Sequence, residues 1–257
     1  MKIFKEDSIL LLVILMFRPS SGFINRQCND KIRANRSLLL MSSNSAVSTI
    51  KVLALHGSGG NGDEFWQKLQ PLREYMIENH QVELEIQAPT APFVKGEDGY
   101  CWWTMAPGAR SFNAIEYIGF QESSQMVLEK MNDCDLVLAH SQGAILMSAL
   151  LGLHTVAKHP SRGYILNGVA WPNPYSKKLA SAQLCGEDVR ALFIMGEVDK
   201  INPIESAIQV RQSLIVAGCN VVTHKHGGGH SFPSKDEASL QVIAEWLNDN
   251  ATSTPAK

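Results

Sequence analysis

Residues 134–153, CDLVLAHSQGAILMSALLGL, join a short apolar run to a longer run of small and apolar residues. The first run, Cys134–Ala139, has the length of a buried strand, and the second, Gln142–Leu153, has the length of a buried helix. A strand that passes directly into a helix is the repeating unit of sheets with mostly parallel strands. The stretch therefore predicts an α/β fold, and the turn inside it is the first place to look for a site.

The turn carries Ser141, with the small residues Ala139 and Gly143 two positions before and after it. Only small residues fit there in the G-x-S-x-G elbow, in which a strained strand-to-helix turn raises a nucleophilic serine off the sheet. Ser141 is therefore the candidate nucleophile, and the backbone N–H of Gln142 is a candidate oxyanion donor. The residues alone do not exclude the alternative that Ser141 only caps the N-terminus of a buried helix.

Outside this stretch, β-branched apolar runs alternate with helical patterns from Ile50 onward, which indicates βα units. The expected strands are Lys51–Leu55, Val82–Gln87, Cys134–Ala139, Gly163–Val169, Ala191–Met195 and Asn220–His224. The expected helices are about Glu64–Glu78, Ile115–Met131, Gln142–Leu153, Pro203–Ala217 and Lys235–Leu247, and Pro71 is able to divide the first of them. Together they predict an α/β-hydrolase fold with a mostly parallel sheet of about six strands, flanked by helices and without a large lid domain.

The first expected strand ends in a glycine-rich turn, HGSGGNG, that begins at His56. Such a turn lets the backbone approach a bound oxyanion, and the N–H of Ser58 is the expected second oxyanion donor. A phosphate-binding loop is the competing interpretation, but the turn matches neither G-x-G-x-x-G nor G-x-x-x-x-G-K-S/T. His56 is expected to be structural, because it lies ahead of the place where the fold carries its histidine base.

The acid of a hydrolase triad follows the serine in the chain, just beyond a strand end. Asp199 occupies that place after the strand Ala191–Met195, in the stretch GEVDKINP. Glu197 is the nearest rival. Asp199 is preferred because it comes just before the segment that opens the next helix at Pro203.

The base is expected last, and His230 follows the final strand in the stretch KHGGGHSFP. Glycines there allow His230 to reach Ser141 and take its proton, while Asp199 orients the imidazole ring. Metal binding by His224, His226 and His230 is the alternative, although no carboxylate or cysteine stands at ligand spacing. No metal and no cofactor are expected.

Several motifs occur in a fixed order between about Lys51 and Leu247: LALHGSGGNGDEF, a Trp-Trp pair ahead of YIGFQES, AHSQGA, GEVDKINP and GGGHSFP. In this order they resemble the family of serine hydrolases that includes the yeast enzymes of that name and a human ovarian-tumour-associated relative. The resemblance implies an esterase for small or medium acyl substrates that needs no cofactor. Ala139 and the stretch Trp171-Pro172-Asn173-Pro174-Tyr175 depart from the family pattern, which leaves substrate choice open.

The segment Pro89–Asn113 is long for a strand-to-helix connection and is rich in aromatic residues. Long loops over a rigid sheet often bind ligands. Trp102 and Trp103, joined by Trp171, are therefore expected to wall an acyl pocket. The alternative is a loop that packs a small core of its own.

The amino-acid composition excludes some classes of binding partner. The 257 residues carry a net charge of −2, and no basic patch is present that could neutralise phosphates, so nucleic acid is not an expected partner. The five cysteines are widely spaced and suggest neither a zinc site nor a disulfide framework. The expected partner is a small-molecule acyl ester or thioester, and the oligomeric state stays open.

The N-terminal residues are predicted to lie outside the hydrolase domain, which is expected over residues 49–250. Residues 1–22 have the basic start, apolar run and small-residue end of a signal peptide, with an apolar run too short for a membrane span. Residues 23–48 have the Arg- and Ser-rich, acid-poor composition of a transit peptide and are expected to form a transit-peptide-like or disordered segment. The pair resembles the two-part presequences of algae with secondary plastids, so plastid import is expected, with ordinary secretion as the alternative. Residues 251–257 are expected to form a disordered tail.

The sequence therefore predicts a serine hydrolase that cleaves a carboxylic ester through an acyl-enzyme on Ser141. An acyl thioesterase with the same triad is one alternative. A non-catalytic relative that binds a small molecule in the same pocket is the other, because a fold does not determine a function.

Overall fold

A computed structural model of the chain describes residues 47–184 and 188–249. Its strands are β1 (Ser48–Leu55), β2 (Val82–Gln87), β3 (Phe93–Lys95), β4 (Gly99–Cys101), β5 (Leu136–His140), β6 (Tyr164–Asn167), β7 (Arg190–Gly196) and β8 (Asn220–His226). Six of them form a parallel sheet in the order β2-β1-β5-β6-β7-β8, and β3 and β4 form a separate antiparallel hairpin. The predicted mostly parallel sheet of the α/β-hydrolase fold is confirmed.

The helices are α1 (Gly62–His80), α2 (Phe120–Met131), α3 (Gln142–Gly152), α4 (Ser176–Ala180), α5 (Ile204–Ala217) and α6 (Glu237–Asn248), and a 3₁₀ turn spans Asn173–Tyr175. They cover both faces of the sheet. In β1, for example, Leu53 joins the buried cluster that includes α3 and α5, whereas Val52 joins the cluster that includes α1 and α6. Alternate strand residues thus supply the two core layers.

Two element boundaries differ from the sequence expectation for physical reasons. Pro71 lies inside α1 without dividing it, because buried residues on both sides, among them Leu69 and Leu72, hold the helix against the sheet. The helix α2 begins at Phe120 rather than Ile115, because Ile118 pairs with Thr104 in an isolated bridge and leaves the preceding residues extended.

The expected signal peptide (1–22) and tail (251–257) lie outside the described residues, as does the expected transit segment (23–48) up to residue 46. The strand β1 begins at Ser48, the last residue of that segment. Within residues 47–184 and 188–249, no helix is both long and apolar enough to cross a membrane.

The order of the strands in the sheet determines where a site can form. The chain runs from β1 to β2 on one side and then returns to β5 on the other, so the connections diverge between β1 and β5. In open α/β sheets a crevice forms at such a point, beyond the carboxyl ends of the strands. The two strands end at Leu55 and His140, which places the glycine-rich turn beside the serine turn.

Candidate active site

Ser141 lies in a sharp turn between β5 and α3, with φ 52° and ψ −116°. A positive φ is costly for a residue other than glycine and persists only where the surroundings hold it. The Ser141 N–H donates to the carbonyl oxygen of Asn167 in the neighbouring strand at 2.9 Å. A Cβ at Gly143 would lie 2.6 Å from the carbonyl oxygen of Leu55, so glycine is what allows α3 to begin directly against β1.

The structure brings the three predicted triad residues together. Nε2 of His230 lies 2.7 Å from Oγ of Ser141, and Nδ1 of His230 lies 2.7 Å from Oδ2 of Asp199. The His230 and Asp199 side chains are only 13% and 6% exposed. With its Nδ1–H directed at the carboxylate, His230 presents the lone pair of Nε2 to the serine hydroxyl, as proton removal requires.

Asp199 is held in this orientation by its other oxygen. Oδ1 accepts the backbone N–H groups of Ile201 at 2.8 Å and Asn202 at 3.0 Å. The side chain of Asn202 in turn donates to the carbonyl oxygen of Gly168 at 2.6 Å. Gly168 has φ +60°, and a Cβ there would lie 3.0 Å from Cε1 of His230. The turn over residues 197–202 that carries Asp199, here called the acid turn, therefore contacts both the end of β6 and His230, and these contacts hold the three in place.

Glu197, the rival acid, is exposed, and among the described residues it forms neither a hydrogen bond nor an ion pair with His230. Asn202 was not singled out from the sequence. Its position in GEVDKINP, two residues before the start of α5, gave no sign that it joins two loops. Asn167 was missed for the same reason, because its contacts depend on which strand lies next to β5.

The two predicted oxyanion donors, Ser58 and Gln142, line the same cavity as Ser141. Across the part of the chain that the structure describes, the backbone N–H of neither residue donates to another protein group. The side chain of Gln142 is buried and fixed, because Oε1 accepts the N–H of Trp102 at 2.8 Å and Nε2 donates to the carbonyl oxygen of Trp103 at 2.9 Å. Both backbone N–H groups are thus available to bind an oxyanion next to Ser141.

His56 has a structural position, as the sequence indicates. Its Nδ1 donates to the carbonyl oxygen of Gly57 at 2.7 Å, and its Nε2 accepts the N–H of Ala91 at 3.0 Å. Burial lowers the pKa of His56. Both ring nitrogens are occupied, so this histidine holds the glycine-rich turn and the segment after β2 together.

A second histidine, His140, lies directly before the nucleophile. Its ring centroid is 5.1 Å from that of His230, and its Nδ1 accepts a hydrogen bond from the side-chain amide of Asn167 at 2.7 Å. Burial, followed by the positive charge that His230 can carry, lowers the pKa of His140 to about 3. His140 is therefore neutral at ordinary pH.

The other histidines of the proposed metal alternative face different partners. Nε2 of His224 lies 2.8 Å from Oγ of Ser239, and Nδ1 of His226 accepts the N–H of Gly228 at 3.2 Å. Among the residues of the two described ranges, no group of three or more His, Cys, Asp or Glu side chains is arranged to hold a metal ion.

A cavity of about 400 Å³ opens at Ser141. The long segment between β2 and α2 supplies half of its lining, through Lys95, Met105 and residues 108–111. Ile145 of α3 and Ile201 and Asn202 of the acid turn complete the opposite wall. The volume lies at the small end of the range for ligand pockets.

Trp102 and Trp103 are not among the described residues that line this cavity. The expectation that they wall an acyl pocket is therefore wrong. Trp102 and Trp103 are 0% and 1% exposed. Nε1 of Trp102 donates to the carbonyl oxygen of His56 at 2.8 Å, and Trp103 stacks on Tyr117 with ring centroids 4.3 Å apart. Trp171 also packs against the buried cluster on this face of the sheet and is absent from the cavity lining. Their size and apolar surface serve the core, so Trp102 and Trp103 fit the core-packing alternative, while other residues of the segment line the cavity.

Comparison with known proteins gives one family match. A model of the serine hydrolase (FSH1) family matches residues 42–242. An esterase of Aedes aegypti is 28% identical over 225 residues, which cover 79% of this chain and 76% of the relative. Esterase OVCA2 of Danio rerio is 25% identical over 214 residues, which cover 72% of this chain and 91% of the relative.

Solved structures agree in fold. SOBER1 of Arabidopsis thaliana superposes with a TM-score of 0.58 at 20% identity, over 79% of this chain and 100% of that one. Esterase PE8 superposes with a TM-score of 0.59 at 21% identity, over 80% of this chain and 94% of that one.

Proposed function

Because the chain belongs to the serine hydrolase (FSH1) family, we propose that it is an esterase that cleaves a carboxylic ester of a small or medium acyl substrate through an acyl-enzyme on Ser141. The observation that carries the proposal is the hydrogen-bonded series from Oγ of Ser141 through His230 to Asp199, with both distances at 2.7 Å. The esterase names of its relatives in Aedes aegypti and Danio rerio support the same reaction class.

In the acylation step, Oγ of Ser141 attacks the ester carbonyl carbon while Nε2 of His230 takes the hydroxyl proton. The carbonyl oxygen becomes negative and accepts the N–H groups of Ser58 and Gln142. As the tetrahedral species collapses, the bond to the alcohol oxygen breaks and His230 returns the proton to that oxygen. Asp199 stays ionised and stabilises the imidazolium.

Deacylation repeats these steps with water as the nucleophile. His230 takes a proton from water, the hydroxide oxygen attacks the acyl carbon, and the bond to Oγ of Ser141 breaks. The proton then passes from His230 to Oγ, which restores the free enzyme and releases the acid. Neither step needs a metal ion or a cofactor.

The first experiment is labelling with a fluorophosphonate probe, which reacts only with an activated serine. We expect the wild type to be labelled, Ser141→Ala to remain unlabelled, and Ser148→Ala to be labelled like the wild type. Ser148 is a suitable control because it lies two turns further along α3 and donates only to the carbonyl oxygen of Ala144. A folded wild-type protein without labelling would support the non-catalytic binder instead.

The thioesterase alternative uses the same atoms with a thiol as the leaving group. Comparison of 4-nitrophenyl esters with acyl-CoA thioesters of matched chain length separates the two. The proposal expects kcat/KM to be higher for the oxygen esters after correction for their uncatalysed rates.

We also propose that residues 1–48 direct the chain into the secretory route and onward to a plastid. The support is compositional: a signal-like stretch over residues 1–22 is followed by an Arg- and Ser-rich, acid-poor stretch. Fusion of residues 1–48 to a fluorescent protein in an alga with secondary plastids tests this. Fluorescence in the secretory route or the medium alone would contradict it.

A further inference from the structure

Two cationic side chains line the cavity at Ser141. Lys95 comes from the end of β3, and Arg110 comes from the loop between β4 and α2. The lining residues in the described ranges include no Asp or Glu. The carboxylate of Asp199 already meets His230 and two backbone N–H groups, so it does not neutralise this wall.

Lys95 is directed toward the reacting group. Its Nζ donates to Oγ of Ser58 at 2.7 Å, and the backbone N–H of Ser58 is one of the two expected oxyanion donors. An ammonium group has three donors, so two remain for a ligand. The side chain of Ser58 therefore links the positive charge of Lys95 to the turn where the ester carbonyl is expected to bind.

Lys95 and Arg110 are exposed side chains that have no carboxylate partner among the described residues. Within residues 47–184 and 188–249, neither side chain forms a salt bridge. The acids nearest to Lys95 in sequence, Glu97 and Asp98, belong to the exposed turn of the β3–β4 hairpin, and the acid nearest to Arg110, Glu116, is exposed as well; none of the three lines the cavity. Two unpaired cations in a partly enclosed space raise the local concentration of anions, and the arginine fork matches a carboxylate.

The remaining lining limits the size and polarity of the ligand. Met105, Ala109 and Ile145 offer apolar contacts, whereas Ser111 and Asn202 offer polar ones. In about 400 Å³ such a mixed wall fits a short chain with a polar end better than a long alkyl chain.

We propose that the preferred substrate is a short ester that carries a carboxylate, which Lys95 and Arg110 bind while Ser141 attacks the ester carbonyl. This inference rests on the proposed function and adds a substrate class to it. The carboxylate takes no part in bond making or breaking. Its role is to place the carbonyl carbon at Oγ of Ser141, so it acts on kcat/KM.

The test compares the mono-4-nitrophenyl ester of adipic acid with 4-nitrophenyl hexanoate, which has the same number of acyl carbon atoms but no charge. We expect the wild type to hydrolyse the charged ester with a kcat/KM about tenfold higher, because only this ester offers a carboxylate to Lys95 and Arg110. Carboxyphenyl butyrate compared with phenyl butyrate places the charge on the alcohol part instead. A preference for the charged member of either pair supports the inference and locates the carboxylate.

Variants of the two cations provide the decisive measurement. Lys95→Met and Arg110→Met are each expected to lower the ratio of charged to neutral kcat/KM by about threefold, and the double variant is expected to bring it to about one. Lys178→Met on α4, where the neighbouring Leu179 packs against Gly152 at the far end of α3, should leave the ratio unchanged. Raising the salt concentration should lower the wild-type ratio by screening.

The ratio separates recognition of charge from damage to the site. If Lys95→Met lowered both esters equally, Lys95 would serve only the Ser58 turn and the inference would be wrong. It would also be wrong if the wild type preferred the neutral member of both pairs, although the esterase proposal would then stand. Absence of hydrolysis of every ester, together with absence of fluorophosphonate labelling, would remove the proposed function as well.

Discussion

The side-chain amide of Asn167 donates to Nδ1 of His140 at 2.7 Å, which fixes His140 as the tautomer with its proton on Nε2. The same residue accepts the Ser141 N–H through its carbonyl oxygen. One asparagine at the end of β6 thus determines both the conformation of the nucleophile turn and the protonation of the ring next to it.

Replacement of Asn167, which is 1% exposed, by leucine is expected to leave Nδ1 of His140 without a donor. Such a loss costs about 1–3 kcal/mol of the free energy of unfolding, which urea denaturation measures. Asn248→Leu is the matched control, because Asn248 makes the same kind of bond, to Nδ1 of His80, at a half-buried position. Equal losses in the two variants would show that the site near Ser141 has no special dependence on this bond.

Triad substitutions are expected to differ in severity. Ser141→Ala and His230→Ala should each lower kcat about a millionfold, and Asp199→Asn about ten-thousandfold, because the three act as a unit. Steady-state kinetics on a 4-nitrophenyl ester measures this, and the double variants should lose little more than the single ones. Glu197→Gln is the control for the acid. If it were as damaging as Asp199→Asn and the latter were harmless, the assignment of the acid would be wrong.

The buried tryptophans should matter for stability. Trp103→Ala removes a ring that is 1% exposed and stacked on Tyr117, so we expect a loss of about 3–5 kcal/mol in the free energy of unfolding. Trp66→Ala, at a position 37% exposed, should cost much less. The assignment of Trp103 to the core would be wrong if Trp103→Ala left the stability unchanged and altered the preferred acyl chain length.

The pKa of His140 predicts a pH dependence of stability. In the folded chain its pKa is about 3, compared with 6.5 for an unperturbed histidine, so below pH 6.5 the unfolded chain binds the proton first. The contribution of this residue is therefore complete above pH 6.5 and is lost as the pH falls toward 3, with a slope of at most about 1.4 kcal/mol per pH unit. Urea denaturation at several pH values should give a shallower slope for His140→Phe between pH 6 and 4. An identical slope in the two proteins would contradict the lowered pKa.

Much of the site could be predicted because its reacting residues lie in local patterns. Ser141, Asp199 and His230 each follow a strand and lie near glycines, and these signals need no knowledge of the neighbouring strands. Asn167 and Asn202 act across strands and loops, so their partners become visible only once β5, β6 and β7 lie side by side.

The aromatic segment shows a different limit of sequence patterns. A tryptophan has the same apolar surface whether it walls a pocket or fills a core, so its sequence position could not decide between the two. The deciding contact comes from Gln142, which binds the backbone of both Trp102 and Trp103. The segment itself does line the cavity, but through Lys95, Arg110 and smaller residues that no motif marked.

The place of β8 at the edge of the sheet, next to β7, has a consequence for the newly made chain. The strands that flank Ser141 (β1, β5 and β6) all leave the ribosome before β8, whereas His230 follows β8, the last strand in the described ranges. Since domains grow from their N-terminal part during synthesis, the serine turn can form while its base is still unmade or unfolded. Such a nascent chain carries an inert hydroxyl, and hydrolysis begins only when its C-terminal strand has docked.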